Sequence, residues 1–273
     1  HTRLAGVTGV QTCALPIIES VGKKVSARQP GDEVMALLGG GGYGEYVTCP
    51  QFHTLYKPAN LDWIEAASIP EVYATCWLNL FMEASMKEGD KVVFHAGASG
   101  IGTAGIQLAK AFGCESFVSA GSKNKIDMCI DLGASGGEVR SKDIFSKIKS
   151  WAPNGVDVIL DPVGAEYFES NLNVLGIEGR LVIIGLMSGA QTNLNLGHLM
   201  IKRQKIIGST IRARNVETKN IVMEELSQKV LPLFKSGELT PIIHETYPLS
   251  ESEKAHEIME ANENIGKIIL TLD

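Results

Sequence analysis

The segment Ala96-Gly97-Ala98-Ser99-Gly100-Ile101-Gly102 follows a short apolar run, Val92-Val93-Phe94-His95, and opens a stretch with helical spacing of Ile106, Leu108, Ala109 and Phe112. A chain that leaves a strand and enters a helix this abruptly needs residues without side chains at its closest approaches, and glycine supplies them. The helix that follows points unpaired N–H groups and the positive end of its dipole above the turn, which suits a pyrophosphate. Against the dinucleotide fingerprint G-x-G-x-x-G, Gly97 and Gly102 match and Ser99 stands at the middle glycine. The segment predicts a pyrophosphate-binding turn built on Gly97 and Gly102, with a strand–helix turn that holds no ligand as the alternative.

The tip of the next strand selects the dinucleotide. A site for NAD places Asp or Glu about 20 residues on, to hold the ribose 2′-hydroxyl. Here the chain reads Ser119-Ala120-Gly121-Ser122-Lys123-Asn124-Lys125, with two lysines and no acid. Hydroxyls and cations hold a 2′-phosphate, and a carboxylate repels it. Ser122 and Lys125 are the better pair, Lys123 reads as solvated, and NADPH is the expected cofactor.

Other chemistries find less support. Zinc needs Cys and His at ligand spacing. No C-x₂-C pair exists, and His53, His95, His198, His244 and His256 form no such set, so no metal site is expected. The five cysteines (Cys13, Cys49, Cys76, Cys114, Cys129) are scattered and odd in number, which argues against a disulfide framework and for a cytoplasmic protein. His95 reads as packed or near an adenine, Asp161 as a turn-former, and Cys49 as structural. Lys+Arg 25 against Asp+Glu 31 gives a net charge of −6, too acidic for a general binder of nucleic acid or membrane surfaces. No apolar run reaches the ~18–20 residues of a membrane-spanning helix.

Strand candidates at 92–96, 116–120, 137–139, 156–160, 181–184 and 206–210 alternate with helical segments that include 126–132, 144–151 and 166–175. That alternation predicts right-handed βαβ crossovers and a six-stranded, doubly wound parallel sheet. A length of 273 residues, at ~150 per domain, corresponds to about two domains. Upstream, the run 31–37 reads as an entry turn followed by a strand, and 43–47 as another strand. Downstream, a helix at 222–234 leads to a final strand at 267–272. Leu80, Phe81, Met82 and Met86 mark a buried helix face. Residues 7–17, VTGVQTCALPI, back-translate to a common sequencing-library adapter, so residues 1–17 are read as non-native and left out of fold reasoning.

Taken together, these residues resemble the zinc-free quinone oxidoreductases of the medium-chain dehydrogenase/reductase superfamily. The resemblance runs from Ile18 to the C-terminus through Gly42-Tyr43-Gly44-Glu45-Tyr46-Val47, Ala67-Ser68-Ile69-Pro70 with Thr75-Cys76-Trp77, and Gly89-Asp90-Lys91-Val92-Val93. It continues through Asp161-Pro162-Val163-Gly164, Gly179-Arg180-Leu181-Val182 and Asn264-Ile265-Gly266-Lys267-Ile268. Pro70-Glu71, His95-Ala96-Gly97, Ser119-Ala120-Gly121-Ser122 and the ending Glu260-Ala261-Asn262-Glu263-Asn264-Ile265-Gly266-Lys267 are most similar to the tumour-suppressor-inducible branch.

The resemblance implies an α/β architecture with a Rossmann NADPH-binding domain (74–211) inserted in a GroES-like split β-barrel catalytic domain (18–73 and 212–273). It also implies NADPH in the cleft between the domains, and a homodimer. Thr75 would lie near the nicotinamide, with Ser99, Gly100, Ile101 and Gly102 along the pyrophosphate, and Gly164, Gly185 and Leu186 would border the nicotinamide through backbone contacts. Ser122 and Lys125 would hold the 2′-phosphate, with Arg140 where the family often has Tyr. Asn264 and Lys267 would close over the cofactor from the C-terminal end, with plain turn chemistry as the alternative for this Gly-Lys. The family has further residues before the point matching Ile18, and they carry the positions that face the quinone. The catalytic domain is therefore expected to be partial here, with the catalytic residues outside this sequence. The implied activity is hydride transfer from NADPH to quinones. The alternatives are an enone or enoyl-thioester reductase and a non-catalytic NADPH-binding protein.

Overall fold

The computed structural model describes residues 13–14 and 17–272, the first two by their backbone alone. The segment read as adapter-derived lies almost wholly outside the described residues. The chain divides into two compact units. One combines the residues up to Ala74 with those from Ile211 onward, and the other is Thr75–Thr210.

In the first unit, β1 (Cys13–Ala14), β2 (Val34–Leu37) and β3 (Thr54–Tyr56) form an antiparallel sheet in that order. Gly31, at φ +91°, makes the turn that leads toward β2. Residues 43–47 are a turn and an irregular run rather than the expected strand. Gly41 at φ +79° and the Gly44 N–H bond to the Gly41 carbonyl (3.2 Å) curl the backbone there. The Tyr43 hydroxyl lies 3.0 Å from His256 Nε2. Alternating residue types without a partner strand make no ladder.

Helix α1 (Trp63–Ala67) begins with a capping box: Asp62 accepts from the Glu65 N–H (2.7 Å) and Glu65 from the Asp62 N–H (2.9 Å). The Lys57 ammonium sits 5.0 Å from the centre of the Trp63 ring. Helix α2 (Pro70–Cys76) runs on into a π-helical stretch, Trp77–Glu83. Trp77 stacks on Phe81 at 4.2 Å, and Phe112 meets both rings edge-on. The expected buried face holds in part, since Leu80 and Met86 are buried but Met86 lies past the helix end.

The second unit alternates strands and helices: β4 (Lys91–His95), α3 (Gly100–Ala111), β5 (Glu115–Ala120), α4 (Lys123–Asp131), β6 (Gly136–Val139) and α5 (Ile144–Trp151). It continues with β7 (Val156–Asp161), α6 (Ala165–Val174), β8 (Leu175–Ile183), α7 (Leu196–Lys202) and β9 (Lys205–Gly208). The six strands pair in parallel in the order β6-β5-β4-β7-β8-β9, so all six expected strands are present. Strand β8 starts at Leu175 rather than 181, because Leu175 already pairs with Val156 before a register shift. Strands covered by helices on both faces must be apolar on both, and Val93, Ile159 and Leu181 are fully buried among Ile144, Ile148 and Leu172. At the opposite end of the strands from their tips, the Arg180 guanidinium pairs with Asp90 (2.5 Å) and donates to the Ala84 carbonyl (2.8 Å).

Past Ile211, α8 (Val216–Glu225), a π-helical turn (Leu226–Val230) and α9 (Leu231–Ser236) make one helical run around the expected 222–234. Its buried face includes Val222, Val230 and Phe234, and Tyr73 packs edge-on against Phe234 at 4.9 Å. Strand β10 (Ile243–Pro248), helix α10 (Ser252–Glu260) and strand β11 (Lys267–Thr271) complete the unit, β10 and β11 pairing in parallel. Among the described residues no helix is long and apolar enough to cross a membrane.

Candidate dinucleotide site

The turn between β4 and α3 is built from contacts that leave no room for side chains. A Cβ on Gly97 would stand 2.6 Å from Val118 Cβ, and one on Gly102 would stand 2.3 Å from the Gly97 carbonyl oxygen. The Gly97 N–H donates to the Ser119 carbonyl on β5 (2.8 Å), and Ala96 takes a left-handed φ of +57°. Ser99, which departs from the fingerprint, is the N-cap of α3: its Oγ accepts from the Gly102 N–H at 3.1 Å. The N–H groups of Gly100 and Ile101 in the first turn have no helical carbonyl behind them, so they and the helix dipole face the space above the turn.

The pairing of β5 with β6 brings Arg140 to Gly121, one residue before Ser122 and the start of α4, which carries Lys125. Ser122 caps α4 by accepting from the Lys125 N–H at 3.4 Å. The Arg140 N–H donates to the Ala120 carbonyl (2.8 Å), and its Nη2 lies 3.1 Å from where a Cβ on Gly121 would be. The bare backbone of Gly121 thus gives the guanidinium its place. Lys123 pairs with Asp127 on the exposed face of α4. Glu138, opposite Ser119 in the register, spends its carboxylate on the Val139 N–H (3.1 Å). A cluster of hydroxyl and cations without a carboxylate on its own turn fits a 2′-phosphate.

Gly164, Gly185 and Leu186 are also brought together. The turns after β7 and β8 are zipped by bonds from the Ile184 N–H to the Asp161 carbonyl (2.9 Å) and from Met187 to Pro162 (3.2 Å). The Ser188 N–H donates to the Val163 carbonyl at 2.8 Å, and Ala165 to Gly189 at 3.2 Å. Gly164 takes φ +89°, and a Cβ on Gly185 would stand 2.7 Å from the Pro162 carbonyl oxygen. Thr75 is buried in α2, its carbonyl accepting from Asn79 Nδ2 (2.8 Å). Asn264 and Lys267 lie in the first unit. The Asn264 amide donates to the Gly266 carbonyl (2.9 Å), and the buried Lys267 ammonium stands 3.6 Å from Glu71.

Sequence reasoning missed a buried polar group beneath these tips. His95 is packed and Asp161 accepts from the turn's Val163 and Gly164 N–H groups, as expected. Unforeseen are Ser119 and Asn171, which contact the two nitrogens of His95 at 3.0 and 2.7 Å. A signal existed: Asn171 shares a helical face with Phe168 and Leu172, where an amide is out of place unless it has buried partners. Burial pushes His95 down to about 4. It also pushes Asp161 up to about 6, against the opposing bonds from Val163, Gly164 and Asn171.

The two shifts act in opposite directions on stability. Asp161 keeps in the folded protein a proton that the unfolded chain has released, so its contribution declines between its ordinary 3.8 and about 6. His95 is neutral when folded and charged when unfolded, so its contribution grows as pH rises from about 4 to 6.5. The pair should leave the urea midpoint nearly flat across this window. Asp161→Asn removes one partner, and its stability should rise by about 2 kcal/mol between roughly pH 4.5 and 6.5. A variant profile as flat as that of the parent would contradict this balance.

The profile of the zinc-binding dehydrogenase family matches residues 100–228. The quinone oxidoreductase of Homo sapiens is 32% identical over 263 residues, covering 94% of this chain and 77% of its own. This chain belongs to the quinone oxidoreductase family. The synaptic vesicle membrane protein VAT-1 homologue of Danio rerio is 27% identical, and this chain spans 56% of its length. The crystal structure of Escherichia coli quinone oxidoreductase complexed with NADPH has a TM-score of 0.84 at 26% identity, covering 95% of this chain and 81% of that one. The JamJ enoyl reductase, in its apo form, gives 0.85 at 28% identity, covering 96% and 78%. Among the described residues of this quinone oxidoreductase family member, no group of three or more His, Cys, Asp or Glu is placed to hold a metal ion.

Proposed function

We propose that the chain binds NADPH on its second unit and serves a reductase of quinones. The observation that carries this reading is the tip of β5, where the Arg140 guanidinium approaches Gly121, Ser122 and Lys125 open α4, and residues 119–125 contain no acid. Gly97, Ser99, Gly100, Ile101 and Gly102 would receive the pyrophosphate at the start of α3. Thr75, Gly164, Gly185 and Leu186 would shape the nicotinamide end. Asn264 and Lys267 would close over the cofactor by exchanging their present partners, Gly266 and Glu71. When bound, NADPH supplies a hydride to the acceptor. The chain's part is alignment and exclusion of water, with backbone or hydroxyl donors meeting the developing oxyanion. The reading extends to a cytoplasmic homodimer, supported by exposed Leu196, Met200 and Ile201 on the helix that leads into the edge strand β9.

Fluorescence titration with NADPH and NADH tests the cofactor. NADPH should bind more tightly, and Lys125→Glu should weaken NADPH by roughly 10- to 100-fold while leaving NADH nearly unchanged. Equal affinities for the two dinucleotides would overturn the assignment. The likeness to an enoyl reductase supports a second substrate class, enones or enoyl thioesters. Parallel turnover assays with a quinone and an enoyl thioester decide between the two, and NADPH binding with neither oxidation would indicate a binding protein.

A further inference from the structure

A continuous chain of hydrogen bonds crosses the sheet beneath the strand tips. It runs from Ser119 on β5 to His95 on β4 (3.0 Å), from His95 to Asn171 on α6 (2.7 Å), and from Asn171 to Asp161 at the end of β7 (3.0 Å). Ser119, Asn171 and Asp161 are fully buried, and His95 is 3% exposed.

The direction of every bond follows from one end. The Asp161 carboxylate can only accept, so Asn171 must present its Nδ2–H to it and its Oδ1 to His95. His95 then carries its proton on Nε2, and Nδ1 accepts from the Ser119 hydroxyl. Asp161 passes this fixed orientation on, because Oδ1 takes the Val163 N–H at 2.6 Å and the Gly164 N–H at 3.3 Å. Apolar side chains would hold strand ends together at least as well, since a buried polar chain contributes only when every member is satisfied. What apolar side chains cannot do is aim a carboxylate at two particular backbone N–H groups.

We propose that His95 and Asn171 are positioning residues that aim Asp161, and through it the turn at 162–164, at the nicotinamide end of the cofactor. Neither touches the cofactor. The inference rests on the NADPH site proposed above, and it separates from that site by ligand choice. Adenosine 2′,5′-bisphosphate carries the 2′-phosphate half and lacks the nicotinamide, so it meets the β5 tip and not the turn.

Calorimetric titration of the full 273-residue chain with NADPH and with adenosine 2′,5′-bisphosphate tests it. His95→Leu should loosen NADPH by about 3- to 10-fold and leave the bisphosphate within about twofold. His95→Gln, whose amide can still donate to Asn171, should recover most of the NADPH affinity. Asn171→Leu neither accepts from His95 nor donates to Asp161. It should show the same split and carries the test should His95→Leu fail to fold. Equal loosening of both ligands, no loosening of either, or a His95→Gln as impaired as His95→Leu would overturn the proposal. If the parent chain binds neither ligand, the proposed site falls, and this inference with it.

Discussion

Replacing Gly102 with alanine is expected to abolish dinucleotide binding and to destabilise the protein by roughly 3 kcal/mol. The new Cβ would lie 2.3 Å from the Gly97 oxygen, 2.5 Å from its carbonyl carbon and 2.6 Å from its Cα. All three are backbone atoms, so no rotamer change relieves the clash. Alanine would favour the helix by about 1 kcal/mol at an exposed position, but overlap with the turn outweighs that gain. To make room, the turn at 96–99 must lift away from α3, which turns the first N–H groups of the helix off any phosphate. Gly208 on β9 serves as the control. A Cβ there meets nothing within 4 Å, and Gly208→Ala should stay within about 0.5 kcal/mol. Urea midpoints and NADPH titrations of both variants decide; a Gly102→Ala protein with an unchanged midpoint would show that the turn yields freely.

The second large effect lies at the opposite end of the strands from their tips. Arg180 and Asp90 have side chains only 13% and 5% exposed, and their pairing ties the start of β4 to β8. Removing the guanidinium leaves the Asp90 charge in a site built for compensation, and strips the Ala84 carbonyl of its donor. Arg180→Leu is therefore expected to cost about 3–5 kcal/mol. Adding Asp90→Leu should recover part of that loss, because a matched apolar pair avoids the unpaired charge. Chemical denaturation of the two single variants and the double variant measures the coupling. Strictly additive losses would mean the two charges do not interact. The stretches Gly89-Asp90 and Gly179-Arg180 thus form a structural clamp away from the strand tips.

The parallel sheet was legible because its strands are buried on both faces and therefore read as apolar runs, each followed by a helix-length connection. Strand order was not legible, because alternation fits more than one doubly wound order and the order β6-β5-β4-β7-β8-β9 is set by tertiary pairing. Residues 43–47 show the limit: their alternation resembles a strand, yet a curled backbone and the Tyr43–His256 contact keep them out of any sheet. In the site, residue types at the β5 tip were readable, because a missing acid is visible in a string of letters. The approach of Arg140 to Gly121 follows from the pairing of β5 with β6, which no local pattern encodes. Ser119 and Asn171 were hidden for the same reason, since each bonds to a histidine distant in sequence. Asn264 illustrates the converse: a residue singled out by resemblance closes its own turn onto Gly266.

The placement of the indole rings makes the two units separately visible by emission. Of the three tryptophans, Trp63 alone belongs to the first unit, 36% exposed and beside the Lys57 ammonium. Trp77 is 2% exposed and stacked on Phe81 in the second unit, where Trp151 also lies. A Trp63→Phe chain therefore emits only from the second unit. A red shift in that chain as denaturant rises follows the Rossmann sheet alone, and a different midpoint for the first unit would show that the units do not melt as one.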